Sequence, residues 1–283
     1  MNMRRGFYAV VTAGVAGLLL LMVVCGCSTT NASKDGGELP IAELLEAANN
    51  GDAVAQHNLG CRYHEGNGVA KDMVEAVKWL RKAAEQGLPR AQGALGVCYR
   101  DGDGVEKDYA LAAMWFRKAA EQGHMYAQCD LGNLYAKGKG VAKDMSEAAK
   151  WFLKSAEQGD ALAQGYLGCC YAEGEGVAKD MSEAVKWWRK GAEQGDALAQ
   201  RYLGLCYAQG EVVATDYDEA AKWLRKAAEQ GDAVAQYNLG LCYGKGKGVK
   251  KSSKEGRKWI RKAADQGLES AKQALELMKL FGE

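Results

Sequence analysis

The stretch that decides the fold is Gly159–Gln194, which reads GDALAQGYLGCCYAEGEGVAKDMSEAVKWWRKGAEQ. Nearly the same 36 residues occur six times, end to end. A fixed period of this length is the signature of a repeat protein, in which each copy is one supersecondary unit. We number positions within each copy from its first glycine. The copies begin at Gly51, Gly87, Gly123, Gly159, Gly195 and Gly231.

The first half of each copy predicts an amphipathic helix over about positions two to fifteen. In the third copy, apolar residues recur at helical spacing from Tyr126 to Tyr135. Position ten is glycine in all six copies. A glycine inside a helix costs about 1 kcal/mol against alanine. Its repetition therefore predicts a second helix that packs closely against this point.

The second half of each copy predicts a turn followed by a second helix. The turn has the pattern G-x-G-V, and glycine supplies backbone conformations that other residues resist. In the third copy the helix begins after Asp144, and Glu147 completes a predicted capping box. Gly159 ends it. The predicted buried face consists of Ala148, Trp151, Ser155 and Ala156.

The two ends of the repeat array are half-repeats. Pro40–Asn50 matches only a second helix, and residues 267–283 match only a first helix, in which Glu276 replaces the glycine of position ten and Lys279 the tyrosine of position thirteen. Polar replacements suit a solvent-facing cap. The predicted fold is all-α: an α/α solenoid of six 36-residue helix–turn–helix repeats with a capping half-repeat at each end.

Three motifs run through the copies: A-x-x-x-L-G-x-x-Y, then G-x-G-V-x-x-D, then A-x-x-W-x-x-x-A-A-x-x-G. They resemble the Sel1-like repeat family, which is related to the tetratricopeptide repeats, over residues 40–283. The resemblance implies a right-handed α/α superhelix that serves as an adaptor or scaffold for other proteins. Val212, Ser252 and Gly256 depart from the motifs, so we expect altered turns in the fifth and sixth copies.

The resemblance also implies where a partner binds. In the tetratricopeptide relatives, the inner groove is lined by first-helix positions that correspond here to positions four, seven, eleven, fourteen and fifteen. These positions vary between copies, as do Tyr166, Cys169 and Glu173 of the fourth copy, whereas the framework does not. Tolerated surface variation is the alternative explanation. The predicted partner-binding residues are His57, His64, Arg90, Arg100, Tyr126, Asn133, Arg201 and Tyr237.

The N-terminus has the pattern of an export signal. Arg4 and Arg5 precede an apolar run over residues 7–24. The following Gly26-Cys27 resembles the bacterial lipobox, which implies diacylglycerol on Cys27 and cleavage before it. We therefore predict a signal peptide over 1–26, a flexible tether over 27–39 and a lipid-anchored protein of the bacterial cell envelope. Ser28 favours the outer membrane, facing the periplasm; an uncleaved membrane anchor is the alternative.

Charge is balanced overall and uneven locally. The formal net charge of +1 gives no general attraction to nucleic acid, and we expect none as a partner. The last copy, 231–266, has nine Lys/Arg and three Asp/Glu, a net of +6. This run suits an acidic partner or an anionic envelope polymer, although a solvated charged face is the simpler interpretation.

The sequence offers little for catalysis, and we predict no catalytic residue, cofactor or metal. His57, Cys61 and His64 lie on one helix face, but three ligands there span about 10 Å along the axis, too far for one ion. A catalytic pair of Cys61 with histidine lacks an orienting Asp or Asn. The alternatives to an adaptor are a hydrolase acting on cell-wall or β-lactam substrates and a metal-binding module. Cysteines at position twelve are expected to be small core residues.

Overall fold

The computed structural model describes residues 39–210 and 212–280, so the predicted signal peptide, Cys27 and nearly all of the tether lie outside the described residues. Within those ranges it contains fourteen α-helices and no strand. No described helix combines the length and the apolar character needed to span a bilayer. The chain divides into two compact units, 1–107 and 108–283, which are described separately.

The first unit contains four helices, and the second contains ten. The helices of unit 1 are α1 (Ile41–Asn49), α2 (Ala53–Glu65), α3 (Met73–Glu85) and α4 (Pro89–Asp101). Those of unit 2 are α5 (Tyr109–Glu121), α6 (Met125–Lys137), α7 (Met145–Glu157), α8 (Ala161–Glu173), α9 (Met181–Glu193), α10 (Ala197–Gln209), α11 (Tyr217–Glu229), α12 (Ala233–Lys245), α13 (Ser253–Asp265) and α14 (Glu269–Leu280).

The fifth copy shows how local sequence sets the helix boundaries. Asp196 precedes α10, and its Oδ1 accepts the N–H of Ala199 at 2.7 Å. Gly210 ends that helix with a left-handed φ of 72°. Gly231 follows α11 with φ 96°, a conformation that side-chain-bearing residues rarely adopt. The glycines at positions one and sixteen therefore stop the two helices of the repeat, as the pattern predicts.

The glycine of position ten is the contact point of the hairpin in five copies, at Gly60, Gly132, Gly168, Gly204 and Gly240, which confirms the predicted close approach there. A Cβ on Gly204 would lie 2.9 Å from Cγ of Leu224 and 3.1 Å from the carbonyl oxygen of Ala220. In unit 1, a Cβ on Gly60 would lie 2.8 Å from Cγ of Leu80. Both distances are too short for ordinary packing, so only glycine allows the second helix to approach this closely.

The predicted burial of the position-29 tryptophan is correct in four copies and wrong in two. Trp79, Trp115, Trp223 and Trp259 are 6–8% exposed, whereas Trp151 and Trp187 are half-buried; in α7 the more deeply buried side chain is Phe152. One face of each indole is covered by the lysine three residues later on the same helix; Lys154 Nζ lies 4.1 Å from the ring centroid of Trp151. Each of the six copies has this contact, at 3.8–4.4 Å.

The predicted capping box is half correct. Oδ1 of Asp144 accepts the N–H of Glu147 at 3.0 Å, as predicted. The reciprocal bond is absent from this cap, because the N–H of Asp144 donates to the carbonyl of Tyr135 at 3.1 Å. Glu147 pairs instead with Lys150 at 2.6 Å. The cap amide thus joins the two helices of a repeat, and the same amide bond recurs at Asp72, Asp180, Asp216 and Ser252.

Consecutive copies are joined by the second glycine of the turn. A Cβ on Gly176 would lie 2.0 Å from the carbonyl oxygen of Met145, at the start of the second helix of the preceding copy. The φ of Gly176 is 78°, so both space and backbone conformation require glycine. In the fifth copy Val212 takes this position and is 39% exposed.

A buried glutamine ladder, unused in the sequence reasoning, also joins the copies. Position six is glutamine in all six copies. Nε2 of Gln200 donates to the carbonyl of Ala192 at 3.2 Å, and Oε1 of Gln200 accepts from Nε2 of Gln230 at 2.8 Å. The amide thus satisfies a carbonyl at the end of the preceding second helix, where backbone partners run out. The sequence signal for this ladder was that glutamine occupies position six in every copy.

The two terminal half-repeats pack as caps. In unit 1, Leu44 and Ala48 of α1 are buried against α2. In unit 2, Ala271 of α14 is buried, whereas Glu276 and Lys279 are exposed. The polar replacements therefore face water, as predicted.

Candidate functional site

Four of the predicted partner-binding residues lie in unit 1, and they differ in accessibility. His57 is only 1% exposed, so it cannot line a binding surface in this structure. His64 and Arg90 are half-buried. The guanidinium of Arg100 pairs with its neighbour Asp101 at 2.7 Å. The buried position of His57 arises because position seven points toward the interior of the array.

His57 also belongs to a buried polar cluster on α2. Its Nε2 lies 3.7 Å from Sγ of Cys61, and its Nδ1 lies 3.2 Å from Oδ1 of Asn58. The sequence reasoning missed Asn58 as the orienting amide, although it is the adjacent residue. Cysteine, histidine and asparagine in contact can activate a thiol. Because Cys61 is 3% exposed and His57 1%, a substrate has no access to this group.

The other four predicted residues lie in unit 2. Tyr126 is 40% exposed on α6, and Asn133 and Tyr237 are half-buried. Arg201 is engaged within the repeat array, because its Nη1 pairs with Oδ2 of Asp232 at 2.7 Å. This pair ties α10 to the N-terminus of α12.

The first helices α8 and α10 contact each other directly at Gly165. A Cβ on Gly165 would lie 2.7 Å from Oδ1 of Asp196, so a side chain at position seven would displace this carboxylate. Beneath this contact, Trp188 occupies position 30, where the other copies have leucine, phenylalanine or isoleucine. Its Nε1 donates to the carbonyl of Gly165 at 3.2 Å, and its ring stacks on Tyr202 at 4.7 Å.

This junction also shifts the titration of its polar groups. Burial raises the pKa of Asp196 to about 6, with Asp160 and Asp232 adding to the rise and the Ala199 N–H and Arg201 opposing it. Burial likewise raises the pKa of Cys169 to about 12. Burial is also the main reason that the pKa of Tyr166 is raised. A thiol with a raised pKa remains protonated and unreactive at neutral pH.

A row of apolar residues at position four was only partly recognised from the sequence. It contains Tyr126 and Leu162, which are 40% and 36% exposed, followed by the half-buried Leu198 and Val234. One residue comes from each successive first helix, α6, α8, α10 and α12. We call these four residues the position-four row. The available signal was that position four is apolar in these four consecutive copies.

The remaining sequence predictions concern metals and cysteines. Among residues 39–210 and 212–280, no group of three or more His, Cys, Asp or Glu side chains could hold a metal ion. The seven described cysteines are free thiols. At position twelve, Cys98, Cys170 and Cys206 are buried core residues, as predicted, whereas Cys242 is half-buried.

Comparison with known proteins settles the family. The Sel1 repeat matches six times, over residues 53–88, 89–124, 126–160, 161–196, 197–232 and 233–268. The chain belongs to the Sel1 repeat family. Sel1 repeats are generally protein-interaction scaffolds, and the fold is of the α/α solenoid class. The matched segments begin two or three residues after the glycines used here as position one.

Two solved Sel1 structures resemble the chain over most of its length. A protective antigen of uropathogenic Escherichia coli strains with an SLR fold has 39% identity and a TM-score of 0.74, and the alignment covers 85% of this chain and 52% of the antigen. This chain thus spans about half of the antigen. A Sel1 repeat protein from Oxalobacter formigenes has 36% identity and a TM-score of 0.71, with 83% and 68% covered. No curated protein matches the chain.

Proposed function

We propose that this Sel1 repeat protein is a non-enzymatic adaptor of the bacterial cell envelope, anchored through lipid on Cys27, that binds a protein partner on the first-helix face of unit 2. The observation that carries the proposal is the exposure of Tyr126 and Leu162. They are the large apolar side chains most exposed on the first helices of the six repeats, at 40% and 36%.

Exposed aromatic and aliphatic side chains in a row provide what a protein interface requires. Binding energy is concentrated in apolar anchors surrounded by polar groups. Here the position-four row supplies the anchors, and Asn133 and Tyr237 supply half-buried polar groups on the same first helices. The E. coli neighbour, of which this chain spans about half, is described as a protective antigen.

A photo-crosslinking experiment tests the binding face. Benzoylphenylalanine is placed at Tyr126 or Leu162, and in a control chain at Met114, which lies on the second helix α5 of the same unit and is equally exposed at 40%. We expect one discrete adduct from the two first-helix positions in native envelopes and none from Met114. Equal adducts at all three positions, or none at any, would show that this face has no partner.

The lipid anchor is tested separately. Cys27→Ser should shift the protein from the membrane fraction to the soluble fraction or leave an uncleaved precursor, whereas Cys25→Ser should leave fractionation unchanged. A Cys27→Ser chain with the mass and membrane attachment of the wild type would contradict the anchor and leave the binding face untouched.

A further inference from the structure

The most basic surface described in unit 2 is the outer face of α13. Lys254, Arg257, Lys258, Arg261 and Lys262 lie within three turns of this helix. Together with Ser253 and Asp265 they line an open recess of about 730 Å³. We call these five residues the α13 basic face.

In the preceding repeat the same place is covered by the next turn. There Gly248 and Val249 lie over α11 beside Ala221, which is 1% exposed. Position 27 is similarly small, apolar and buried at Val77 and Ala149. On α13, no turn covers this place among the described residues, because α14 is the last described helix. The residues at position 27 are Val77, Ala113, Ala149, Val185, Ala221 and Arg257.

Arg257 therefore replaces the small apolar residue that, in the preceding copy, lies beside the turn of the next repeat. A guanidinium at this position favours water or an anion over another turn, because a buried unpaired charge is costly. The replacement removes the small apolar contact that a following turn makes at position 27 of the preceding copy.

Among the described residues, two charges of this face have a longer or missing contact compared with their counterparts in the preceding copy. Arg225, at position 31 of the fifth copy, donates to the hydroxyl of Tyr243 at 2.8 Å. Arg261 holds the same position, but Lys279 stands where the tyrosine would follow. Lys258 lies 3.9 Å from Glu255, compared with 2.7 Å for Lys222 and Glu219 in the preceding copy. The copy as a whole has a net charge of +6.

The recess suits a surface of many phosphates better than a peptide. Its lining contains no apolar anchor, and the ring of Trp259 is covered by Lys262 at 4.2 Å. Peptide grooves depend on such anchors, whereas clustered Lys and Arg bind anionic bilayers additively, each strengthening binding about fivefold. We propose that the α13 basic face docks on the phosphate groups of an anionic phospholipid bilayer.

Vesicle binding tests this proposal. The full chain carries Cys27→Ser, so that acylation does not contribute. Binding is measured by cosedimentation with vesicles of phosphatidylcholine alone or with one third phosphatidylglycerol, and the quantity of interest is the excess on the anionic vesicles. Subtracting the neutral vesicles removes any apolar contribution from residues 7–24. We expect a clear excess at 50 mM NaCl that falls at least tenfold at 500 mM, because salt screens exposed charges.

Two variants of equal net charge locate the surface. The first has Lys254→Gln, Arg257→Gln, Lys258→Gln and Arg261→Gln. The control has Lys143→Gln, Lys150→Gln, Lys179→Gln and Lys186→Gln, four exposed lysines elsewhere in unit 2. The first should lose the excess about six-hundredfold, at about fivefold for each of the four charges, and the control less than threefold, with both melting as the wild type does.

Three outcomes would overturn the proposal. One is equal binding of the Cys27→Ser chain with an intact α13 basic face to neutral and anionic vesicles. Another is equal loss in the two variants, which would show that net charge alone acts. The third is an α13 basic face that binds an acidic polypeptide such as polyglutamate but shows no excess on anionic vesicles, which would assign it to a protein partner.

Discussion

The hairpins α8–α9 and α10–α11 follow one repeat pattern but fill the space beneath the position-ten glycine differently. In α10–α11, Leu224 fills it, and a Cβ on Gly204 would lie 2.9 Å from its Cγ. In α8–α9, Trp188 fills it, and a Cβ on Gly168 would lie 2.4 Å from its Cδ1. Unlike Leu224, Trp188 also extends to the neighbouring first helices, where it bonds to Gly165 and stacks on Tyr202.

The difference shows that a larger inner side chain can link neighbouring first helices. The indole lies against the bare backbone of Gly168 and donates to the carbonyl of Gly165 on α8, while its ring stacks on Tyr202 of α10. Above it α8 and α10 are in contact, with Asp196 close to Gly165. The contact between these first helices is thus supported partly by a residue that is itself 0% exposed.

The largest expected effect comes from removing the indole. Trp188→Ala should lower the free energy of unfolding by about 4 kcal/mol, because it leaves a large cavity beneath α8. Chemical denaturation followed by far-UV circular dichroism measures it. Trp187→Ala, on the same helix but half-buried, is the control and should cost about 1 kcal/mol. A larger loss from Trp187→Ala would mean that position 29, not position 30, supports this hairpin.

The buried carboxylate should make stability fall as pH rises. The pKa of Asp196 is about 6 in the folded state against 3.8 ordinarily, so between these values the folded state binds more protons than the unfolded state. Stability from this group is therefore greatest below pH 4, falls as pH rises through 6 and is constant above 7. The shift corresponds to about 3 kcal/mol at most.

Asp196→Asn keeps a capping oxygen and removes the titration. Subtracting its stability curve from that of the wild type, from pH 4 to 8, isolates the group from all other titrating residues. A flat difference curve would mean that Asp196 is hydrated in solution and that α8 and α10 do not enclose it.

Replacing the position-ten glycine by alanine in each hairpin compares the two hairpins directly. Gly168→Ala should cost about 2 kcal/mol, because the rigid indole cannot yield. Gly204→Ala should cost about 1 kcal/mol, because Leu224 can change rotamer and alanine favours the helix. Thermal or denaturant midpoints of the two variants provide the measurement. The reverse order would show that the core around Trp188 is looser than that around Leu224.

The last comparison concerns the ion pair that joins α10 to α12. Arg201→Met should cost about 1.5 kcal/mol, since it leaves Asp232 partly buried with one partner fewer. Lys222→Met, which removes an exposed pair with Glu219, should cost about 0.5 kcal/mol or less. Equal costs at low and high salt for both variants would show that Arg201 acts through packing of its stem and not through charge.

Much of this fold could be predicted from the sequence, because it depends on local backbone preferences that recur in all six copies. The 36-residue period predicted the repeats, the glycines at positions one and sixteen predicted the helix ends, and the position-ten glycine predicted the close contact of each hairpin. The errors arose where two nearby residues compete. Trp151 and Phe152 are adjacent and both apolar, and only the packing shows that Phe152 is the more deeply buried of the two.

The candidate site was less predictable, since exposure at position seven depends on a residue 31 places further along the chain. Position seven of one copy meets position two of the next, as Arg201 meets Asp232. Aligning the copies reveals which positions vary but not what each side chain finds opposite it. His57 and Tyr126 were therefore predicted as equal members of one surface, yet one is buried and the other is 40% exposed.

The sequence by itself determined the repeat, its two helices, its turns and the Sel1 family, because each depends on backbone preferences and on a spacing visible along the chain. Only the tertiary structure decided which variable side chains are available to a partner. It showed that Trp188 contacts both α8 and α10, and that the α13 basic face remains uncovered among the described residues. The physical reason is that accessibility belongs to the contact between copies, and a single copy does not contain it.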